Sequence, residues 1–95
     1  MLDADFLRVF RLRIRKARLK KGWSQEEAAE QIGLPLRTYQ QLEMEHTKRT
    51  NPSLETIMGI SVALELPVGK LLAVPSQKEL LMEFPTRKRP RVKKQ

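Results

Sequence analysis

SQEEAAEQIGLPLRTYQQLE, residues 24–43, is the stretch that decides the fold. Ser24 is a favourable helix cap, and Glu27 stands three residues later, where its side chain completes a capping box. The apolar residues that follow recur at helical spacing: Ala28, Ala29 and Ile32. This pattern predicts a helix from about Gln25 to Ile32, whose small alanines allow a neighbouring helix to approach closely.

A tight turn and a second short helix come next. Gly33 tolerates a positive φ, and Pro35 disfavours a helical conformation at the residue before it. A second helix is predicted from Pro35 or the next residue to about Met44, with Tyr39 and Leu42 on its inner face. Two short helices joined in this way have the layout of a helix-turn-helix, in which the second helix enters the DNA major groove. The stretch therefore predicts sequence-specific DNA binding.

The composition excludes several classes of protein. The chain has 95 residues, enough for one small domain and a tail. With no cysteine and one histidine, His46, we expect no disulfide framework, metal site or cofactor. An enzyme is not expected, because no nucleophile with a base, carboxylate pair or phosphate-binding glycine loop is present. There is no long apolar run and no signal-peptide pattern, so we expect a cytoplasmic protein.

The positive charge is unevenly distributed along the chain, which has a formal net charge of +8. Eight basic residues and no acidic ones lie between Arg8 and Lys21, and residues 87–95, RKRPRVKKQ, add six more. Without those six, the chain has 13 Lys and Arg residues and 11 Asp and Glu residues, which give a net charge of only +2. The charge supports phosphate binding without identifying the face that binds.

The same local signals predict helices on both sides of the central stretch. Residues 5–21 have apolar residues at helical spacing and end at Gly22: Leu7, Phe10, Ile14 and Ala17. Asn51 or Ser53 is the expected cap of a fourth helix, which Pro67 should stop. Its predicted inner stripe consists of Leu54, Ile57, Met58, Ser61 and Leu64. Residues 68–72 are long enough for one or two turns of a fifth helix.

Residues 12–72 resemble the helix-turn-helix proteins of the phage Cro and repressor type and their bacterial relatives. The matching pieces are R-x-x-x-G-x-S-Q-E (Arg18 to Glu26), Ala29, Ile32-Gly33, Leu42-Glu43 and the segment from Pro52 to Leu72. The resemblance implies an all-α, five-helix, lambda-repressor-like domain at residues 1–73, with the helix-turn-helix at helices 2 and 3. It also implies a homodimer that regulates transcription, as a repressor, from a two-fold symmetric operator in double-stranded DNA.

The resemblance further implies roles for individual side chains. The positions that fall where such proteins read base edges are Leu36, Arg37, Thr38, Gln40 and Gln41. The positions that fall where such proteins contact DNA phosphates are Ser24, Gln25, Thr47, Lys48 and Arg49. Arg18 and Glu43 match a structural ion pair between helices 1 and 3.

Five residues depart from the family's pattern. Ala17 and Ala28 stand where leucine is usual, and Glu65 replaces a frequent glycine after helix 4. Pro35 stands where a capping serine or threonine is usual. Leu36 stands where a polar residue is common, and its side chain would either contact a thymine methyl or turn inward.

The C-terminal extension, residues 74–86, is predicted to form a short helix or a strand. Its apolar residues have no place in a five-helix core: Leu80, Leu81, Met82 and Phe84. They would cover the domain's own core or form a dimerisation surface, and dimerisation is the favoured interpretation. Residues 87–95 have too few apolar residues to fold alone, so we expect a disordered basic tail that contacts DNA without sequence preference.

Two alternative functions share DNA binding and differ in the partner. An antitoxin would hold a toxin protein through residues 74–95. A controller protein of a restriction-modification system is suggested by the run Arg37-Thr38-Tyr39 in a compact one-domain chain. A basic amphipathic helix 1 is also compatible with a lipid surface. Its apolar stripe is needed for the core, however, so no membrane partner is expected.

Overall fold

The computed structural model describes residues 4–44 and 52–83. These ranges contain no strand, and their helices are α1 Ala4–Lys21, α2 Gln25–Ile32, α3 Leu36–Glu43, α4 Leu54–Leu64, α5 Val68–Leu71 and α6 Gln77–Leu81. The all-α prediction is confirmed. None of the helices in these two ranges combines the length and apolarity needed to cross a bilayer.

The helices enclose one apolar core. The long helix α1 contacts α3, α4, α5 and α6, while α2 lies against α3 and α4. The buried core residues are Phe10, Ile14, Ala28, Ala29, Tyr39, Leu42, Ile60, Leu64 and Leu71. Because α2 and α3 both bury their apolar stripes here, the unit that they form is fixed against the rest of the domain.

The helix ends follow the predicted chemistry. Ser24 Oγ accepts a hydrogen bond from the Glu27 backbone N–H at 3.0 Å, and Glu27 Oε1 accepts one from the Ser24 N–H at 2.7 Å. Gly33 ends α2 with a φ of +92°, which glycine adopts without strain. Of the two predicted caps for α4, Ser53 is the one used. Pro35 precedes α3 and provides no side-chain hydrogen bond to its first turn.

One prediction about α4 is wrong. The helix ends at Leu64, and Glu65 follows it in the left-handed conformation with a φ of +53°, two residues before Pro67. However, Leu54 and Met58 are exposed and do not belong to the inner stripe. The side of α4 that packs on the core carries Ile57, Ile60 and Leu64. Apolar residues occur around much of this helix, so its sequence pattern alone did not identify the buried side.

The described residues contain one helix more than the five predicted. In the C-terminal extension, Ser76 caps α6 and Glu79 completes a second capping box. The choice between helix and strand is therefore settled as helix for residues 77–81. The serine and glutamate at capping-box spacing signal this helix in the sequence, whereas five residues are too few to show a helical period.

An arginine of the basic run holds α6 against α1. Arg13 Nε and Nη2 donate to the two carboxylate oxygens of Glu79 at 2.8 and 2.7 Å. Arg13 Nη1 also donates to the backbone carbonyls of Leu71, the last residue of α5, and Ala73, at 3.0 and 2.7 Å. Arg8 Nη2 donates to the Met82 carbonyl at 2.7 Å. Part of the positive charge of α1 is therefore used to bind the chain's own C-terminal extension.

We expect Glu79→Gln to lower the free energy of unfolding by about 1 kcal/mol at neutral pH. The hydrogen bonds from Arg13 outweigh partial burial and hold the pKa of Glu79 at about 2, against about 4.3 in an unfolded chain. Because the folded pKa is the lower one, the stabilisation is present above pH ~4.3 and is lost as the pH falls towards ~2. Urea denaturation of both proteins at several pH values measures it.

Glu30→Gln, on the exposed side of α2, is the matched control and should change stability by less than about 0.5 kcal/mol. If the difference in unfolding free energy between wild type and Glu79→Gln stays constant from neutral pH down to pH ~2, ionised Glu79 does not hold α6.

Candidate nucleic-acid interface

The outer face of α3 carries polar side chains. Arg37, Thr38 and Gln41 are all exposed, whereas Tyr39 and Leu42 are buried on the opposite side. Arg37 and Gln41 are four residues apart, so they lie next to each other on one face of the helix. A guanidinium can make two hydrogen bonds to guanine and an amide can make two to adenine. This face therefore has the groups needed to read base edges in a major groove.

Two of the predicted base-contacting residues lie at the border of this face. Leu36 is half-buried and packs against the core. Gln40 is also half-buried, and its Nε2 donates to Gln25 Oε1 at 3.2 Å. The structure therefore places Arg37, Thr38 and Gln41 on one exposed face of α3. Part of Leu36 is turned away from them, towards the core.

Gln25, at the start of α2, has its amide engaged on both sides. Its Nε2 donates to Glu43 Oε1 at 3.0 Å, and its Oε1 accepts the hydrogen bond from Gln40. An amide nitrogen carries two hydrogens, so the bond to Glu43 uses one of them. The neighbouring Ser24 uses its Oγ to cap the helix. The Gln25 side chain is therefore fixed beside a helix N-terminus, a position that favours an anion.

Among the described residues, three side chains donate hydrogen bonds to the completely buried carboxylate of Glu43, and Arg15 Nε lies 3.4 Å from its Oε1. Arg18 donates from Nε to Oε2 at 2.6 Å and from Nη2 to Oε1 at 3.0 Å, which forms the ion pair that the resemblance implies. The Tyr39 hydroxyl donates to Oε2 at 2.5 Å. Together with the Gln25 amide, these residues form what we name the Glu43 cluster: Arg18, Gln25, Tyr39 and Glu43.

The Glu43 cluster favours an ionised carboxylate. Burial opposes the charge, but the hydrogen bonds from Arg18, Tyr39 and Gln25 outweigh it and hold the pKa of Glu43 below its usual value. Burial, followed by the charge of Glu43, raises the pKa of Tyr39, so the tyrosine hydroxyl keeps the proton that it donates. Burial lowers the pKa of Arg18, but pairing with Glu43 outweighs burial and raises it overall.

Sequence reasoning missed two of the hydrogen bonds that Glu43 accepts. Tyr39 precedes it by four residues on the same helix, a spacing that places two side chains side by side, so this contact had a signal in the sequence. Gln25 lies 18 residues away on another helix, and no local pattern predicts that contact.

Several predicted site residues lie outside the described residues. They are Thr47, Lys48 and Arg49 among the phosphate ligands and Phe84 in the C-terminal extension. The same holds for the basic tail, residues 87–95. Their roles stay predictions.

Comparison with known protein families matches residues 14–71 to the helix-turn-helix family. The chain belongs to this family. This helix-turn-helix protein is also similar to a protein of Neisseria meningitidis serogroup B that is named a hypothetical transcription factor. The two are 38% identical over 80 residues, which cover 84% of this chain and 73% of that protein. No solved structure matches the chain.

Family membership indicates the general function of the chain. The Cro and repressor resemblance is confirmed, and this helix-turn-helix protein is a DNA-binding regulator of transcription. The matched residues include all of α2 to α4 and the Glu43 cluster.

We expect Tyr39→Phe to lower the free energy of unfolding by about 1.5–3 kcal/mol, the usual contribution of a hydrogen bond to a charged group. Phenylalanine keeps the packing of the ring and removes only the hydroxyl that donates to Glu43. Thermal and urea denaturation measure the change.

Thr38→Ala, one residue earlier and exposed, is the control and should change stability by less than about 0.5 kcal/mol. If Tyr39→Phe behaves like this control, the hydroxyl does not support the buried carboxylate.

Proposed function

We propose that the protein binds a two-fold symmetric operator as a homodimer, reads it through α3 in the major groove and represses transcription from it. The observation that carries this proposal is the exposed face of α3. Arg37 and Gln41 lie one turn apart on this face, and the Glu43 cluster fixes the buried side of the same helix. A rigidly held reading helix loses little conformational entropy on binding, which favours specific complexes.

Base contacts are assigned first to Arg37, Thr38 and Gln41. Each well-placed pair of hydrogen bonds to a base discriminates by about 1–3 kcal/mol. Gln40, held by Gln25, would contact the edge of the same site. The part of Leu36 that does not pack on the core would contact a thymine methyl.

Phosphate contacts are assigned to the start of α2. Gln25 already has its amide oriented by Glu43 and Gln40, so a phosphate there meets a side chain that needs no reordering. Ser24 lies beside it at the helix N-terminus. The sequence adds Thr47, Lys48 and Arg49 on the segment after α3. Contacts of this kind position a protein on DNA without specifying the sequence.

The C-terminal extension is the proposed dimerisation element. Leu81 is 80% exposed and Leu80 is 41% exposed, while Met82 is half-buried. Arg13 and Arg8 attach this segment to α1, so a partner chain bound to it would be oriented relative to the reading helix. Two-fold pairing must then set the two α3 helices roughly 34 Å apart, one turn of DNA.

Repression is assigned because occupancy of an operator is sufficient to exclude other proteins from the same DNA. The antitoxin alternative rests on the same exposed leucines, since an apolar surface on the extension serves a different protein as well as a second copy. The dimerisation test below separates the two.

For the base-reading assignment, we expect Arg37→Ala to relax sequence preference at one base pair in each half-site. Lys48→Ala should instead weaken binding to all sequences alike. It should also make the slope of log affinity against log salt concentration shallower by about one unit. Selection of bound sequences from a random duplex pool, followed by affinities at two salt concentrations, measures both effects.

Equal losses for the two variants on selected and random duplexes would remove the base-reading role of Arg37. A wild-type protein that selects no sequence at moderate salt would remove the proposed function as a whole.

For the dimer, we expect Leu81→Asp to convert the protein to a monomer and to lower operator affinity at least tenfold, because one half-site is then bound at a time. Analytical ultracentrifugation gives the oligomeric state, and titration of an operator duplex gives the affinity.

Val62→Asp is the matched control, because Val62 is similarly exposed, at 75%, but lies on α4 with Leu54 and Met58. A wild-type dimer that survives Leu81→Asp and dissociates with Val62→Asp would move the interface to α4. A protein that is monomeric without substitution favours the antitoxin alternative, in which this surface binds another protein.

A further inference from the structure

A cleft of about 800 Å³ lies on the side of α1 that carries Arg13 and Ala17. Its other walls are the corner between α4 and α5 and the Glu79 side of α6. The residues of the α2–α3 unit do not line it. A volume of this size is typical of sites for small organic ligands.

The apolar lining of the cleft consists of Ala17 and Leu19 of α1 together with Leu64, the last residue of α4, and Leu66, which follows that helix. Ala17 contributes only a methyl group, so its side chain leaves space above the core that a larger residue would fill. An apolar ligand body would therefore gain burial on these four side chains.

The charged residues at the cleft are mainly basic. Arg13 is paired with Glu79 at 2.7 Å, and Lys21 is paired with Glu65 at 3.2 Å. Lys16 and Lys20 complete the lining and are exposed. Four cations and two carboxylates thus give the lining residues a formal charge of +2. A ligand with one negative group matches this charge, whereas a cation is repelled.

We propose that this cleft binds a small amphipathic anion, an organic acid whose apolar body lies on the leucines and whose carboxylate faces Lys16 and Lys20. The chain's own C-terminal tail is a poor occupant. Residues 84–95 contain six basic residues and no acidic one, so they are repelled by the same two lysines.

The cleft also joins parts of the chain that are distant in sequence. Because its walls belong to α1, α4 and α6, a bound acid would hold the C-terminal extension on the domain in addition to the Arg13 contacts. A ligand that binds only the folded form raises the unfolding temperature as its concentration rises.

The first test uses two fluorescent probes with the same rings. Anilinonaphthalene sulfonate carries the negative group, and N-phenylnaphthylamine lacks it. The intact protein should bind the sulfonate saturably, with one site per chain, and at least tenfold more tightly than the neutral probe. Equal affinities for the two probes, or binding that does not saturate, would overturn the proposal.

The second test locates the site with charge-matched variants. Replacing both Lys16 and Lys20 with Gln should weaken sulfonate binding about tenfold, as expected for two exposed charges. The control replaces Lys70 and Lys78, which are exposed and lie outside the cleft lining, and should leave affinity unchanged. Equal effects from the two pairs would place the probe elsewhere.

The third test fills the cleft and identifies the type of acid. Ala17→Leu should weaken sulfonate binding, while Val62→Leu, an enlargement of an exposed side chain of α4 outside the cleft, should not. If Ala17→Leu does not fold, the lysine variants still decide the question. Naphthoate or decanoate should displace the sulfonate, and the corresponding alcohols should not. The better competitor distinguishes an aromatic acid from a fatty acid, and failure of both acids overturns the proposed ligand class.

Discussion

The buried carboxylate of Glu43 is the interaction on which the rest of the structure depends. A carboxylate removed from water is costly unless it is paired and fully hydrogen-bonded. Here its donors come from α1, α2 and α3, so ionising Glu43 in the core requires all three helices to be in place. Arg18 also donates to the Trp23 carbonyl at 2.8 Å, which fixes the connection between α1 and α2. The same contacts that stabilise the core therefore orient Gln25 at the proposed DNA surface.

The basic helix α1 shows why net charge is a weak guide to a binding face. Arg18 is buried on Glu43, and Arg13 is occupied by Glu79 and two backbone carbonyls. These cations join parts of the chain and contribute little to a field at a distance. In the proposed function, specific recognition of DNA depends on the exposed side chains of α3, and the exposed Lys16 and Lys20 of α1 are assigned to the proposed cleft site.

Local signals predicted most of the helices. The capping box at Ser24 and the glycine at position 33 set the limits of α2 to the residue, because both act through backbone groups only a few residues away. The buried side of α4 was harder to predict. Leu54, Met58 and Val62 are as apolar as the buried residues, so packing against α1 and α2 decided which side faces inward. The five residues of α6 are too few to show a helical period. Arg13, which is 66 positions from Glu79 in the sequence, holds this helix in place.

By itself, the sequence determined the helix-turn-helix, its family and the exposed polar residues of α3, because capping, turn chemistry and helical periodicity are local properties. Only the tertiary structure decided that the Gln25 amide reaches the Glu43 carboxylate, that Leu36 partly faces the core and that α6 folds back onto α1. These contacts join residues far apart in the chain or select among equally apolar faces. Their stability comes from burial and charge pairing, which exist only after the helices have packed.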